Sequence, residues 1–177
     1  ARAREAGRAV TIFPWERALQ GWVERVSAPI LTPLRWVNIA LADQGIVMTM
    51  RFPLALFVGA LTGDHWRALV TAVALLAAPG IEDWLKNLCA RGRPRDPHEW
   101  GIPSGDCVFV TISVLPFVPF LGWWAVAPIA VVMWTRMALR AHWPLDTVAG
   151  VGLGAVLVGA VFVPPWRVAV AALVWWR

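Results

Sequence analysis

Three short stretches of the sequence hold residue types that can work on a phosphate. KNLCARGRP, Lys86 to Pro94, sets a lysine six residues ahead of an Arg-Pro pair. PSGD, Pro103 to Asp106, offers a hydroxyl, a glycine and a carboxylate. TRMALRAHWPLD, Thr135 to Asp146, runs Arg136, five residues, His142, three residues, Asp146. An anion with two or more negative charges needs several positive donors, which hold it and stabilise its charge as that charge spreads during transfer. Arg and Lys supply such donors, and imidazole is the side chain that changes protonation state near neutral pH.

Such groups matter only if the elements carrying them meet, and the composition says what those elements are. Of 177 residues, 59% are hydrophobic and 15% charged; a soluble domain has about half apolar and about a quarter charged. A surplus of apolar residues with a deficit of charge marks a chain whose solvent is lipid. Thirteen Trp and no Tyr fit anchoring at the headgroup level. Disorder, collagen and disulfide scaffolds are excluded, and the two cysteines, Cys89 and Cys107, are too few for a framework. The net charge of +5 does not signal nucleic-acid binding, because the arginines fall between apolar runs, where loops and anionic headgroups account for them.

The sequence therefore predicts an all-α, integral-membrane helical bundle of about five to six transmembrane helices, preceded by N-terminal amphipathic helices. Residues 1–44 form the amphipathic segment, with Ile12, Trp15, Leu19, Trp22, Val23 and Val26 at helical spacing and Glu16, Arg17, Glu24 and Arg25 between them. This segment either lies in the membrane interface or packs on the end of the bundle. Residues 45–177 form the transmembrane domain, with expected spans Ile46–Leu61, Trp66–Leu85, Ser104–Gly122, Trp124–Leu139 and Leu145–Val163. The tail Pro165–Arg177 is either a short interfacial helix or part of a further span. Gly150 and Gly154 in the fifth span make a small-xxx-small face for close helix packing.

Counting membrane faces brings the chemistry together. The second span ends at Lys86 on the side where the N-terminal segment lies, and the third starts there at Ser104. The fourth returns near Arg136 to His142, and the fifth leaves after Asp146. Lys86, Arg91, Arg93, Ser104, Asp106, Arg136, Arg140, His142 and Asp146 thus converge at one end of the bundle. Ionisable residues at a membrane boundary are costly and usually functional. Several cations beside one histidine make a phosphate-type anion site.

Taken together, the three stretches resemble the motifs of the type-2 phosphatidic acid phosphatase superfamily, in the right order, from Lys86 to Asp146. Its soluble relatives include acid phosphatases and vanadium haloperoxidases. The resemblance implies that Lys86, Arg93 and Arg136 clamp the phosphate oxygens, with Ser104 and the backbone N–H of Gly105 as neutral donors at a helix start. It implies that His142 is the nucleophile, forming a phosphohistidine. Asp146, at i+4, is placed to hold the other imidazole nitrogen and fix its tautomer. No metal and no other cofactor is implied, since Lys and Arg supply the charge a metal would provide. The chain's only lysine falls at the motif's lysine position.

One position departs from that pattern. The family's second motif ends in His, and this sequence has Asp106. An ionised carboxylate can serve as base for water in a second step, but it is a poor acid for a leaving oxygen. The expected function is a membrane phosphatase that hydrolyses the phosphate or diphosphate of a lipid or polyprenyl phosphate. The alternative is a lipid-phosphate-binding protein disabled by Asp106, or a trapped inactive variant of such an enzyme. His98, in the loop between the first two motifs, is a weaker candidate acid. Arg91, Arg95 and Arg140 are read as contacts to a second phosphate or headgroup, or as interfacial charges. The expected partners are the substrate and membrane lipids, not nucleic acid. The surplus of arginines on the N-terminal side places the site on the cytoplasmic face by the positive-inside rule.

Overall fold

The computed structural model describes residues 12–42, 53, 56, 57, 59–61, 63 and 65–162. Most of the expected span Ile46–Leu61 and the whole tail Pro165–Arg177 lie outside the described residues. The described chain is all-helical and contains no strand beyond one isolated bridge, Gly92 to Trp100.

Its main helices are α1 (Pro14–Ser27), α2 (Leu31–Ala42), α3 (His65–Cys89), α4 (Gly105–Val114), α5 (Ala127–Ala138) and α6 (Pro144–Phe162). Short helical turns join α4 to α5 across residues 115–126. Two stretches are long and apolar enough to cross a membrane, His65–Cys89 and Gly105–Ala138. Within the second, α4 has 10 residues and α5 has 12, and short turns carry the helical run from α4 on to Leu121, next to the expected span end at Gly122. The change from regular helix to tighter turns has a local cause. Pro116 and Pro119 remove backbone donors, and Gly122 adopts a φ of 58°, which a helix cannot continue through.

Helix α4 sits at the centre. Val108 and Ile112 pack against Ala74, Leu75 and Ala78 of α3 and Val158 of α6. Cys107 and Val110 pack on Ile129 and Val132 of α5. The outward faces are also apolar, with Leu69, Val73 and Leu76 on α3, Val131 on α5 and Val148 and Val156 on α6 all exposed. Such a surface is what lipid as solvent selects.

The fit of α4 against α6 depends on the glycines. A Cβ on Gly150 would lie 2.5 Å from the Ser104 carbonyl oxygen, and one on Gly154 would lie 2.7 Å from Thr111 Cβ. The expected small-residue face is therefore the α4 contact. Gly152 and Gly159, on the same helix, would meet nothing within 4 Å.

Helix α1 packs on the bundle's end, against α5 and the start of α6. Its buried stripe is Glu16, Gln20, Val23 and Ser27, while Phe13, Trp15, Leu19, Trp22 and Val26 are exposed. Gln20 Nε2 donates to the Met137 carbonyl at 2.5 Å and to Glu24 Oε1 at 3.0 Å. The polar stripe faces protein and the aromatic face points outward, so packing on the bundle and an interfacial position are compatible in one helix.

Because Gly150 meets backbone rather than a flexible side chain, Gly150→Ala is expected to destabilise the protein by about 1–3 kcal/mol. Gly152→Ala is expected to be neutral or stabilising, by up to about 1 kcal/mol of helix propensity. Thermal unfolding of the two purified variants in the same detergent checks the contrast.

Candidate active site

Local backbone rules set most of the motif spacing. Helix α5 ends with Arg140 in the left-handed region, at φ 57°. Arg140 N–H donates to the Met137 carbonyl at 2.9 Å and Ala141 N–H to the Arg136 carbonyl at 2.9 Å. This is a Schellman closure, with the 5→2 and 6→1 bonds that satisfy the last carbonyls of a helix. His142 N–H also reaches the Arg136 carbonyl, at 3.3 Å. The interval from Arg136 to His142 is thus one helix ending plus one residue, and it brings the two side chains to the same end of the bundle.

The start of α6 fixes Asp146. Pro144 opens the helix with its pre-set φ, and Asp146 two residues later turns back so that Oδ2 accepts the Trp143 N–H at 2.9 Å. Helix α1 opens the same way. Phe13 is the cap, Pro14 follows, and Glu16 Oε2 accepts the Phe13 N–H at 3.1 Å. Phe-Pro-Trp-Glu and Trp-Pro-Leu-Asp are one local motif used twice.

The two acids meet on one guanidinium. Arg91 is 1% exposed. Its Nη1 donates to Asp146 Oδ1 at 3.0 Å and its Nη2 to Glu16 Oε2 at 2.5 Å. Glu16 Oε1 accepts the N–H of Leu145 at 3.2 Å. The loop carrying Arg91 is pinned by the Gly101 N–H to the Arg91 carbonyl at 2.6 Å, and by Trp143 Nε1 to the Gly92 carbonyl at 3.1 Å. A Cβ on Gly101 would lie 2.6 Å from Asp146 Oδ2, so this approach requires glycine. The reading of Arg91 as a headgroup or interfacial contact is corrected here: it is a buried bridge. Arg140 remains exposed and pairs with Glu24 at 3.3 Å.

His142 is buried, with Nδ1 3.7 Å from Asp146 Oδ2. That is ion-pair range but beyond a hydrogen bond, and Nδ1 has no hydrogen-bond partner among the described residues. Asp146 therefore stands near the imidazole without bonding to it, and its closest contacts are Arg91 and the Trp143 amide. Arg93 and Arg136 act on the imidazole as positive neighbours. Burial holds the His142 pKa below the ordinary imidazole value, with the attraction of Asp146 opposing this and the two arginines adding to it.

The remaining predicted site residues fall into two groups. Arg136 pairs with Asp106, and Arg93 pairs with Glu99 at 2.7 Å and donates from Nε to the Trp100 carbonyl at 3.1 Å. A cavity of about 1010 Å³ opens beside Arg93 and Arg136 and is also lined by Arg35, Arg95 and Arg140. On the α3 side, Lys86 pairs with Glu82, whose carboxylate lies where a Cβ on Gly105 would stand. Ser104 donates its N–H to the Asp146 carbonyl at 2.9 Å, and its buried side chain lies against the Cys107 thiol. His98 is exposed in its loop.

The sequence reading did not single out Glu16, Gly101 or the buried role of Arg91. Glu16 carried a usable signal, since Glu16, Gln20 and Ser27 recur at helical spacing as a polar stripe on a helix otherwise read by its apolar face. No group of three or more His, Cys, Asp or Glu among the described residues is arranged to hold a metal ion.

The PAP2 superfamily profile matches residues 67–169, which contain all three motif stretches. The chain belongs to the PAP2 superfamily, whose members are in general phosphatases acting on phosphoric esters. Neither a curated protein nor a solved structure shows a significant match to the chain.

A histidine whose folded pKa lies below its unfolded value of 6.5 contributes stability fully above that value. The contribution is lost as pH falls from there toward the depressed pKa, because only the unfolded chain takes up the proton readily. Thermal unfolding compared at about pH 7.5 and about pH 5.5 is therefore expected to show a smaller acid loss in His142→Gln than in the parent protein. Equal losses would remove His142 from this account.

Proposed function

We propose that this chain is an integral-membrane phosphatase that removes the phosphate or diphosphate of a lipid or polyprenyl phosphate through a phosphohistidine intermediate. The observation that carries the reading is the setting of His142. Asp146 Oδ2 lies 3.7 Å from its Nδ1, and Arg93 and Arg136 are its positive neighbours.

The steps follow from these positions. Neutral His142 carries its proton on Nδ1, facing Asp146, so Nε2 presents a lone pair to phosphorus. Nε2 attacks in line, the N–P bond forms, and the P–O bond to the lipid breaks. The leaving oxygen takes a proton from solvent. Arg93, Arg136, Lys86, Ser104 Oγ and the Gly105 N–H hold the three phosphoryl oxygens as charge spreads over them. Closure on substrate shortens the Nδ1 to Asp146 distance, as catalytic contacts commonly tighten when ligand binds. Water then attacks phosphorus, Asp106 accepts its proton, and the N–P bond breaks to release phosphate and regenerate His142.

Lipid as the carrier is supported by the apolar outward faces of α3, α5 and α6 and by the exposed aromatic face of α1. In this reading residues 1–44 are the interfacial segment, 45–177 the transmembrane domain of about five to six spans, and the site faces the cytoplasm.

Phosphate release from a panel of lipid phosphates in mixed micelles tests it. The parent chain is expected to turn over at least one of them, and His142→Asn to lose about a thousandfold or more. Asp106→His, which restores an acid with a pKa near neutrality, is expected to raise turnover about tenfold or more. If neither the parent nor Asp106→His releases phosphate from any lipid while lipid phosphate still binds, the hydrolase reading fails.

A further inference from the structure

We propose that Glu16 is a positioning residue for the His142–Asp146 pair, acting from the N-terminal helix through Arg91. The inference rests on the reading of His142 as the nucleophile. Glu16 is 0% exposed, although it lies on an amphipathic helix where a carboxylate would ordinarily face water. Both of its oxygens are used across the fold. Oε2 takes Arg91 Nη2 at 2.5 Å and the Phe13 N–H at 3.1 Å, while Oε1 takes the Leu145 N–H at 3.2 Å. One side chain therefore grips both the guanidinium that holds Asp146 and the backbone one residue before Asp146.

The electrostatic consequence has a definite sign. Arg91 shares its charge between two carboxylates, so Asp146 keeps part of its negative field for the imidazole. The groups that face His142 are Asp146 from α6, Arg136 from α5 and Arg93 from the loop after α3, so Asp146 is the acidic one among them. Removing the charge of Glu16 leaves Arg91 wholly on Asp146. The field that stabilises a cationic imidazole, and with it the phosphohistidine, then weakens. Undocking of α1 alone would act in the opposite direction, by admitting water to a buried histidine.

The test uses the full chain in lipid–detergent micelles, with steady-state hydrolysis of a lipid phosphate monoester and a pH titration of ¹⁵N-labelled histidine assigned through a His142→Asn control. Glu16→Gln keeps the shape and the Leu145 contact. Its kcat is expected to fall about tenfold to a hundredfold, with KM changed less than about threefold. The His142 titration is expected to move down by about half a unit or more. An unchanged titration, an upward one, or a loss confined to KM overturns the proposal. If Glu16→Gln does not fold, Arg91→Lys carries the test. A single ammonium cannot serve both carboxylates with fork geometry, so kcat is expected to fall about tenfold or more with KM held; a kcat equal to the parent's overturns it. If the parent hydrolyses no lipid phosphate, the phosphatase reading fails while the titration still decides the role of Glu16.

Discussion

Arg91 is the constraint around which this structure is arranged. A guanidinium taken out of water costs several kcal/mol unless its donors are met with good geometry. Here its two Nη groups are met by carboxylates far apart in sequence, Glu16 at the start of α1 and Asp146 at the start of α6, while the buried Nε has no partner among the described residues. Both acids are themselves tied to helix-opening amides, so neither can turn away without leaving a donor unpaired. Moving any one of α1, α6 or the loop after α3 would strand a buried charge. His142 inherits its position from that arrangement, because it sits between the Schellman end of α5 and the opening of α6.

Around this centre, the cations expected to clamp phosphate carry carboxylates of their own. Lys86 holds Glu82, Arg136 holds Asp106 and Arg93 holds Glu99. The positive end of the bundle is therefore partly neutralised from within. The departure at Asp106 belongs to this pattern, since the residue that replaces an imidazole is the one bound to Arg136. An all-cationic cluster at the edge of a low-dielectric region would repel itself, and interleaved acids reduce that cost.

Much of the site was legible because its residues sit at helix ends whose spacing is fixed by local rules. The interval Arg136 to His142 records a Schellman turn, and Trp-Pro-Leu-Asp records a helix start that leaves Asp146 beside the imidazole. The glycine face of α6 was legible for a similar reason, although the sequence did not say that Ser104 and Thr111 would be what it meets. Arg91 and Glu16 were hidden because their roles depend on contacts 55 and 75 residues away, which no periodicity encodes. Hydropathy set the boundary between the third and fourth expected spans at Gly122, where φ turns positive, but it did not register the tighter turns around Pro116 and Pro119. The repeat of aromatic, proline, apolar and acid at residues 13–16 and 143–146 is visible in the sequence, but only the fold shows that the two acids share one partner.

The bond from Leu145 to Glu16 joins residues 129 apart, and this has a consequence for biogenesis. Glu16 is among the first of these residues to leave the ribosome, whereas Arg91, Leu145 and Asp146 follow much later. Until they arrive, its carboxylate has only the Phe13 N–H and water to satisfy it, so α1 cannot yet bury its polar stripe. Docking of this helix is then the closing event of assembly. The end of the bundle that holds His142 is completed only once the opening of α6 is in place.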